Sequence, residues 1–149
     1  MQIITVHRSK GLEFPVVYVP FGWDRYVPRE PDVPLLHDDA GTRVLDVGGA
    51  GGPSWSEHCA RHEAEEAGED LRLLYVALTR ARCQVVAWWV PATTTPTSPL
   101  HRLLFGRRGP GATPPASCPV PNDTAALAAL HGLAAVSYTH LTLPTILLV

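Results

Sequence analysis

The chain has 149 residues, of which 46% are hydrophobic, and its formal net charge at pH 7 is −2. These values are typical of a globular domain that buries a hydrophobic core. They exclude a general attraction to nucleic acid, so any contact with DNA has to come from a local cluster of positive charge. The chain has no long uncharged apolar run and no secretion signal, and we therefore expect no membrane partner and a cytoplasmic location.

The first two predicted strands are short β-branched runs bounded by residues that break regular structure. They cover residues 2–6 and 15–21. Both runs are typical of strands that are buried on both faces inside an α/β sheet. A tight loop or a single helical turn connects them, and their relative direction stays open because a parallel pair normally needs a longer crossover.

A β-hairpin and a long helix are predicted next. Residues 35–47 indicate a hairpin that turns at residues 39–41. The helix begins at a cap that Ser54 or Ser56 can supply. Gly68 weakens the middle of this helix, so the pattern allows either one helix or two.

The predicted helix has one apolar face at the three-and-four spacing of an α-helix. Its members are Ala60, Ala64, Ala67, Leu71, Leu74 and Leu78. Residues 71–78 are apolar nearly all round, which predicts that this half is buried on several sides. A strand is predicted at residues 84–90, with Trp88 and Trp89 as core residues on opposite faces.

The last third of the chain is predicted to be less regular. Residues 91–135 indicate a linker rich in Pro, Thr and Gly, with a short helix near residues 99–105 and a possible alanine-rich helix from residue 123. Residues 136–149 begin with VSYTHLTLPT, which looks like the translation of a sequencing adapter. We predict that this tail is non-native, and a natural β-strand tail is the alternative.

The first stretch that indicates chemistry is TVHRSKGLEFPVVYVP, residues 5–20. A predicted strand leads into a turn at Lys10 and Gly11, where backbone amides and a cation can meet a phosphate. Glu13 carries only acceptor atoms and suits a sugar hydroxyl. A solvated loop between two strands is the alternative reading of the same residues.

The second stretch is EDLRLLYVALTRAR, residues 69–82, in which Arg80 ends the predicted helix. A guanidinium keeps its charge and presents a rigid set of donors, which suits stabilising a phosphoryl group in transfer. The alternative is a cation that only complements the dipole at a helix C-terminus. Arg72 is predicted either to pair with Glu69 or Asp70 or to position the helix.

Together the two stretches resemble motifs V and VI of the UvrD-like DNA helicases of superfamily 1A. The sequences EDLRLLYVALTRA and LLHDDAGTRVLDV are most similar to the RecB-type helicase-nucleases, the beta subunits of exodeoxyribonuclease V. The resemblance covers about residues 2–105. It implies an α/β fold in which residues 1–90 form an incomplete part of helicase domain 2A, a RecA-like domain of the P-loop NTPase type. That domain has a parallel sheet and packed helices, with motif V at residues 2–20 and motif VI at residues 69–82.

The resemblance also implies roles for individual residues. Arg80 is expected to be the catalytic arginine finger that contacts the γ-phosphate of ATP. Gly11 and Glu13 are expected to bind the nucleotide, and Thr5 and His7 are expected to bind single-stranded DNA. One loop would then touch both ligands, which would couple ATP hydrolysis to movement along DNA.

The resemblance implies that the chain is a fragment of an ATP-dependent DNA helicase and exonuclease, which unwinds DNA in double-strand break repair and recombination. Its implied cofactors are ATP and Mg²⁺, and its implied partners are single-stranded DNA, a duplex end and the other subunits of a helicase-nuclease complex. The alternatives are an AddA-type or UvrD-type helicase, or a non-catalytic module that binds DNA or a partner. The parent's C-terminal extension and subunit partners would separate the helicase types, and an in-frame phosphate-binding motif upstream would separate all of them from the non-catalytic module.

Several parts of such an enzyme are missing from the sequence. A phosphate-binding loop needs a lysine followed by Ser or Thr, whereas the sole lysine, Lys10, is followed by Gly11. We therefore expect a fragment that does not hydrolyse ATP alone and whose magnesium ligands lie in a missing N-terminal part.

No metal site is predicted within the chain itself. His58 and His62, with Cys59 between them, lack further ligands at suitable spacing, so we interpret them as a solvated helix face. The acidic residues between positions 63 and 70 are also interpreted as exposed surface. With Cys83 and Cys118, the chain has an odd number of widely separated cysteines, which predicts reduced thiols rather than a disulfide framework.

Overall fold

A computed structural model describes residues 1–27, 31–106, 109, 112 and 114–138, with side chains described as far as residue 134. Four strands and three α-helices occur in this part of the chain. The strands are β1 (Phe14–Val19), β2 (Leu35–His37), β3 (Arg43–Leu45) and β4 (Ala81–Ala87). The helices are α1 (Trp55–Leu78), α2 (Pro99–Phe105) and α3 (Asp123–Tyr138). Of the tail predicted to be non-native, residues 139–149 lie outside the described residues.

The main sheet is a parallel pair of β1 and β4. Val17 lies opposite Val85 and Val19 lies opposite Ala87. The connection between the two strands contains the hairpin and α1, and α1 packs against both strands. A parallel pair with a helical crossover is the α/β arrangement expected from the sequence, so that prediction is confirmed.

The two faces of this sheet differ, which contradicts the prediction of burial on both faces. Val17 and Val19 are half-buried, whereas Val16 and Tyr18 are 38% and 60% exposed. Trp88, predicted to be a core residue, is 40% exposed and stacks on Tyr18 with ring centroids 6.2 Å apart. Because adjacent residues of a strand point to opposite faces, one face is covered and the other is open in the described chain.

Residues 2–6 do not form the predicted strand. Their backbone runs into a short 3₁₀ turn at His7–Ser9, and Val6 already has helical angles, with φ at −56° and ψ at −41°. The carbonyl oxygens of Thr5 and Val6 both accept hydrogen bonds from the Ser9 amide, at 3.1 Å each. These carbonyl groups therefore bond within the turn instead of with a neighbouring strand. This is why the β-branched residues, which favour strands, do not form the predicted strand here.

The antiparallel hairpin of β2 and β3 is confirmed. Its turn is organised by Asp38, whose carboxylate oxygen Oδ1 accepts hydrogen bonds from the amides of Ala40 at 2.9 Å and Thr42 at 2.8 Å. Gly41 supplies the left-handed backbone that the turn needs, with φ at +77°. Asp and Gly are common in turns because of these two properties.

Helix α1 is one continuous helix of 24 residues, and Gly68 does not divide it. Of the predicted apolar face, Ala67 and Leu74 are buried and Leu71 and Leu78 are half-buried. Ala77, which is outside that face, is also buried. Ala60 and Ala64 are exposed, so the prediction fails in the first half of the helix. The second half is also less buried than predicted, because the Tyr75 side chain is 69% exposed.

The segment after β4 packs against the rest of the protein. Helix α2 occurs where the sequence indicates a short helix, and it contacts α1. Thr95, Ser98, His101 and Arg102 are all buried, although the composition of this region is typical of a linker. Trp89 packs with the rings of His101 and Phe105, at centroid distances of 6.0 and 5.2 Å.

Candidate nucleotide and DNA site

The loop before β1 is a compact turn held by its own hydrogen bonds. Ser9 is buried, and its hydroxyl donates to the carbonyl oxygen of Val6 at 2.6 Å. The Thr5 hydroxyl oxygen accepts a hydrogen bond from the Arg8 amide at 3.4 Å. This turn also packs against α1. The side chains of Thr5 and His7, the residues predicted to bind DNA, are exposed on this turn.

Gly11 continues the turn in a conformation that favours glycine. Its φ is +80°, and the following amide, of Leu12, donates to the carbonyl oxygen of Ser9 at 3.0 Å. A methyl group added at Gly11 would meet no atom within 4 Å, so the backbone angle and not crowding requires the glycine. Lys10, Gly11 and Glu13 are all exposed, which leaves this part of the loop accessible to a ligand.

Arg80 lies just beyond the C-terminal end of α1 and is bonded directly to this loop. Its Nη1 donates to the carbonyl oxygen of Leu12 at 3.3 Å. Its own carbonyl oxygen accepts a 2.8 Å hydrogen bond from the amide of Phe14, the first residue of β1. The pairing of β1 with β4 therefore brings together two stretches that are far apart in the sequence.

Among the described residues, the partners of the Arg80 guanidinium are uncharged oxygen atoms. Nε donates to the carbonyl oxygen of Val76 at 3.1 Å, and Nη2 donates to the hydroxyl of Thr79 at 3.2 Å. Across the described ranges, none of the ion pairs includes Arg80. A half-buried guanidinium without a carboxylate partner keeps its positive charge available to an anionic ligand.

The other predicted site residues lie on the same surface. Glu13 is exposed, and its Oε2 lies 4.0 Å from Nε of Arg82, which is also exposed. The predicted nucleotide-binding residues Gly11, Glu13 and Arg80 are thus close together, and Thr5 and His7 precede them on one loop. The Thr79 hydroxyl is a further polar group of this site that the sequence does not predict, and its one signal in the sequence is a polar residue at the end of an apolar helix.

Arg72 pairs with Glu69, one of the two partners that the sequence predicts for it. Nη1 of Arg72 lies 2.9 Å from Oε2 of Glu69, and the Arg72 side chain is 80% exposed. Asp70 has a different partner, because it forms an ion pair with Arg25. The interpretation of the acidic run as exposed surface is therefore wrong at Asp70.

The hairpin is attached to the first half of α1 by polar contacts. Nδ1 of His58 lies 2.7 Å from Oδ2 of Asp46. Nδ1 of His62 lies 2.8 Å from the carbonyl oxygen of Leu35. These two histidines bind the hairpin, so their interpretation as a solvated helix face is wrong. The hydrogen bond with His58 is the main cause that lowers the pKa of Asp46.

A carboxylate of α1 also contacts the hairpin. Oε1 of Glu65 accepts a 2.8 Å hydrogen bond from the amide of His37, and Oε2 lies 2.8 Å from Nδ1 of the same residue. The backbone hydrogen bond from His37 is the main cause that lowers the pKa of Glu65. Polar contacts thus take the place of the apolar face that the sequence predicts in this half of the helix.

The described residues contain no group of three or more His, Cys, Asp or Glu side chains that could hold a metal ion. The described residues of the Gly11 loop and Arg80 therefore form no magnesium site. Cys59, Cys83 and Cys118 form no disulfide in this part of the chain. Among the described helices, none is both long and apolar enough to cross a membrane.

Residues 1–90 match the family of the UvrD-like helicase C-terminal domain. The chain belongs to this family. The match includes both the Gly11 loop and Arg80, the two parts of the site. The resemblance to UvrD-like helicases that the two motifs indicate is therefore confirmed.

Individual relatives in this family include RecB proteins. The RecBCD enzyme subunit RecB of Mycolicibacterium smegmatis is 54% identical over 122 residues, which are 81% of this chain and 11% of that protein. The protein of the same name from Escherichia coli is 44% identical over 82 residues, covering 54% of this chain and 6% of that protein. An ATP-dependent helicase/nuclease protein of Desulforudis audaxviator is 37% identical over 92 residues, covering 58% of this chain and 8% of that protein. The chain thus spans about a tenth of the mycobacterial RecB and less of the other two.

Proposed function

We propose that the chain is the motif V and motif VI segment of an ATP-dependent DNA helicase subunit of the RecB type. The parent enzyme would unwind DNA from a duplex end, with its helicase-nuclease partner subunits, in double-strand break repair and recombination. The chain alone would be inactive, because the phosphate-binding loop and the magnesium ligands would belong to other parts of the parent. The identity of 54% with a RecB protein over 81% of the chain supports this proposal.

In this proposal Arg80 contacts the γ-phosphate of ATP that is bound by a neighbouring domain. A positive guanidinium stabilises the charge on the phosphoryl oxygens most strongly in the transition state, so it accelerates hydrolysis more than it strengthens ATP binding. Gly11 and Glu13 would contact the nucleotide, with Glu13 accepting a hydrogen bond from the ribose. Thr5 and His7 would contact single-stranded DNA.

The observation that carries the proposal is the hydrogen bond between Nη1 of Arg80 and the carbonyl oxygen of Leu12. It links the cation for the phosphate directly to the loop that would contact DNA and ribose. A change in the loop on DNA binding would move an acceptor of the catalytic arginine. This connection gives a physical route by which DNA could stimulate ATP hydrolysis.

The proposal is tested by replacing Arg80 with Ala in the full-length parent enzyme and measuring DNA-dependent ATP turnover. We expect kcat to fall by about 1,000-fold or more, since an arginine finger contributes on that scale. Binding of a non-hydrolysable ATP analogue should persist. Arg72→Ala is a matched control, because Arg72 is 80% exposed and pairs only with Glu69 among the described residues. Undiminished turnover in Arg80→Ala would contradict the proposal.

An AddA-type helicase-nuclease is the second candidate, because an ATP-dependent helicase/nuclease protein matches 58% of the chain. A non-catalytic module is a third reading of the same fold. Extending the reading frame upstream of Met1 separates the catalytic readings from the last one. The catalytic readings require GxxxxGK followed by Ser or Thr in the same frame.

A further inference from the structure

The hydroxyl of Thr79 lies between the end of α1 and the guanidinium of Arg80. Its Oγ1 lies 2.8 Å from the carbonyl oxygen of Tyr75 and 3.1 Å from that of Val76. The same atom lies 3.2 Å from Nη2 of Arg80. The side chain of Thr79 therefore contacts both the helix that ends before it and the arginine that follows it.

The direction of these hydrogen bonds is set by chemistry. A carbonyl oxygen only accepts, so the single hydroxyl proton of Thr79 points to the end of the helix. Arg80 only donates, so it must use a lone pair of the same oxygen. The helix carbonyls thus fix the orientation in which Thr79 offers its lone pair to Nη2.

Ending the helix does not require this hydroxyl. The backbone amide of Thr79 already donates to the carbonyl oxygen of Tyr75 at 3.0 Å. The hydroxyl adds a second donor to the Tyr75 carbonyl oxygen, and any residue other than proline at this position would supply the first donor, the backbone amide. The contact that depends on the hydroxyl itself is therefore the one with Nη2 of Arg80.

We infer that Thr79 is a positioning residue for Arg80, and this inference rests on the proposed function. The guanidinium has five N–H groups, and its bonds to Val76, Thr79 and Leu12 use three of them, which leaves two for an anion. The bonds to Val76 and Thr79 come from the arginine's own helix end and hold Nε and Nη2. The bond to Leu12 joins the guanidinium to the loop before β1, and the two remaining N–H groups, one on Nη1 and one on Nη2, can meet a phosphate while all three bonds stay in place.

The test uses Thr79→Val and Thr79→Ser in the full-length parent enzyme. Valine keeps the branched shape and removes the hydroxyl, whereas serine keeps the hydroxyl. We expect Thr79→Val to lower kcat by about threefold to tenfold, the scale of one hydrogen bond, while KM for ATP and binding of the analogue stay near wild type. Thr79→Ser should restore most of kcat. Thr93→Val, at an exposed threonine after β4, controls for the exchange of residue type.

The variant Thr79→Val/Arg80→Ala separates positioning from a structural role. If Thr79 acts through Arg80, this double variant should turn over ATP no more slowly than Arg80→Ala alone. A kcat of Thr79→Val within about twofold of wild type, with Arg80→Ala inactive, would overturn the inference and leave the proposed function intact. Full turnover in Arg80→Ala would instead overturn the proposed function.

Folding of the variants needs its own readout. Circular dichroism and the thermal midpoint of each variant should match wild type before kcat values are compared. If Thr79→Val does not fold, Thr79→Ala removes the same hydroxyl with a smaller side chain and is compared with Thr79→Ser. Equal losses of kcat in the Ala and Ser variants would show that the hydroxyl is not the cause, and would overturn the inference.

Discussion

Nη1 of Arg102, in α2, donates a 2.7 Å hydrogen bond to the carbonyl oxygen of Ala67, in the middle of α1. Arg102 is only 2% exposed, and its other donors reach the carbonyl oxygens of Pro115 at 2.6 Å and Pro114 at 3.4 Å. One side chain thus joins α2, α1 and the segment before α3. Burial lowers the pKa of Arg102, with the nearby charge of Arg25 as a smaller cause in the same direction.

Arg102→Ala should destabilise the chain by about 2–4 kcal/mol, because it creates a cavity and removes the side-chain hydrogen bonds to three carbonyl oxygens. Arg102→Lys should lose less, since an ammonium can still reach part of this set. Urea unfolding followed by circular dichroism measures both free energies of unfolding. Arg72→Ala is the matched control on the exposed side of α1, with an expected change within about 0.5 kcal/mol. Equal stability of the two alanine variants would contradict the role assigned to Arg102.

His101 should make stability depend on pH near neutrality. Its Nε2 lies 3.2 Å from the carbonyl oxygen of Cys118, and its Nδ1 accepts a 3.2 Å hydrogen bond from Nε1 of Trp89. Burial is the main cause that lowers the pKa of His101 from its ordinary value of 6.5. A histidine with a lowered pKa contributes full stability above pH 6.5, and this contribution is lost as the pH falls through that value towards the folded-state pKa.

The His101 contribution is measured as the urea midpoint between about pH 8 and about pH 5, a range that spans the ordinary titration of histidine. His101→Gln should weaken the dependence on pH over this range, because glutamine does not titrate. The exposed His131, in α3, provides the control His131→Gln, which should leave the dependence unchanged. An identical dependence in wild type and His101→Gln would refute the prediction.

The hairpin should detach from α1 in acid. Asp46 and Glu65 have a lowered pKa in the folded state, so their contribution is complete above their ordinary values of 3.8 and 4.5. It is lost as the pH falls below these values and through the folded-state pKa. The amides of His37 and Gly48, which donate to the two carboxylates, report the change by NMR. The variant Asp46→Asn should make the Gly48 signal insensitive to acid, and an unchanged titration would argue against this account.

Gly11→Ala should strain the loop before β1. The left-handed φ of +80° costs an alanine about 1 kcal/mol, although no atom lies within 4 Å of the added methyl group. We expect a matching loss of stability and lower DNA-dependent ATP turnover in the parent enzyme. Gly51→Ala is the control, because Gly51 also has open space and its φ lies outside the left-handed region. A loss of similar size in both variants would show that strain at Gly11 is not responsible.

The sequence predicted those elements whose pattern is local. The hairpin is marked by its turn residues, α1 by helical spacing, and the two strands of the main sheet by short apolar runs. The closeness of Arg80 to the Gly11 loop followed from two recognised motifs, since no local pattern pairs residues so far apart. The strand predicted at residues 2–6 does not form, because the carbonyl oxygens of Thr5 and Val6 accept hydrogen bonds from the Ser9 amide.

Hydrogen bonds that let polar side chains be buried were the part that the sequence could not predict. Residues around Thr95 and Ser98 have the composition of a linker, yet both side chains are buried. The Thr95 hydroxyl donates to the carbonyl oxygen of Val90 at 2.7 Å. Because this hydrogen bond replaces one to water, the polar side chain can be buried, and the hydropathy of the sequence gives no sign of it. The same reason applies to the histidines of α1, whose partners lie in the hairpin.

The parallel pairing of β1 with β4 has a consequence during synthesis. Val19 leaves the ribosome long before Ala81, where its partner strand begins. At ordinary rates of translation the nascent chain carries β1 without its partner for several seconds. During that time the apolar residues of β1 are open to other nascent chains, so a ribosome that stalls within α1 would release a product prone to aggregation.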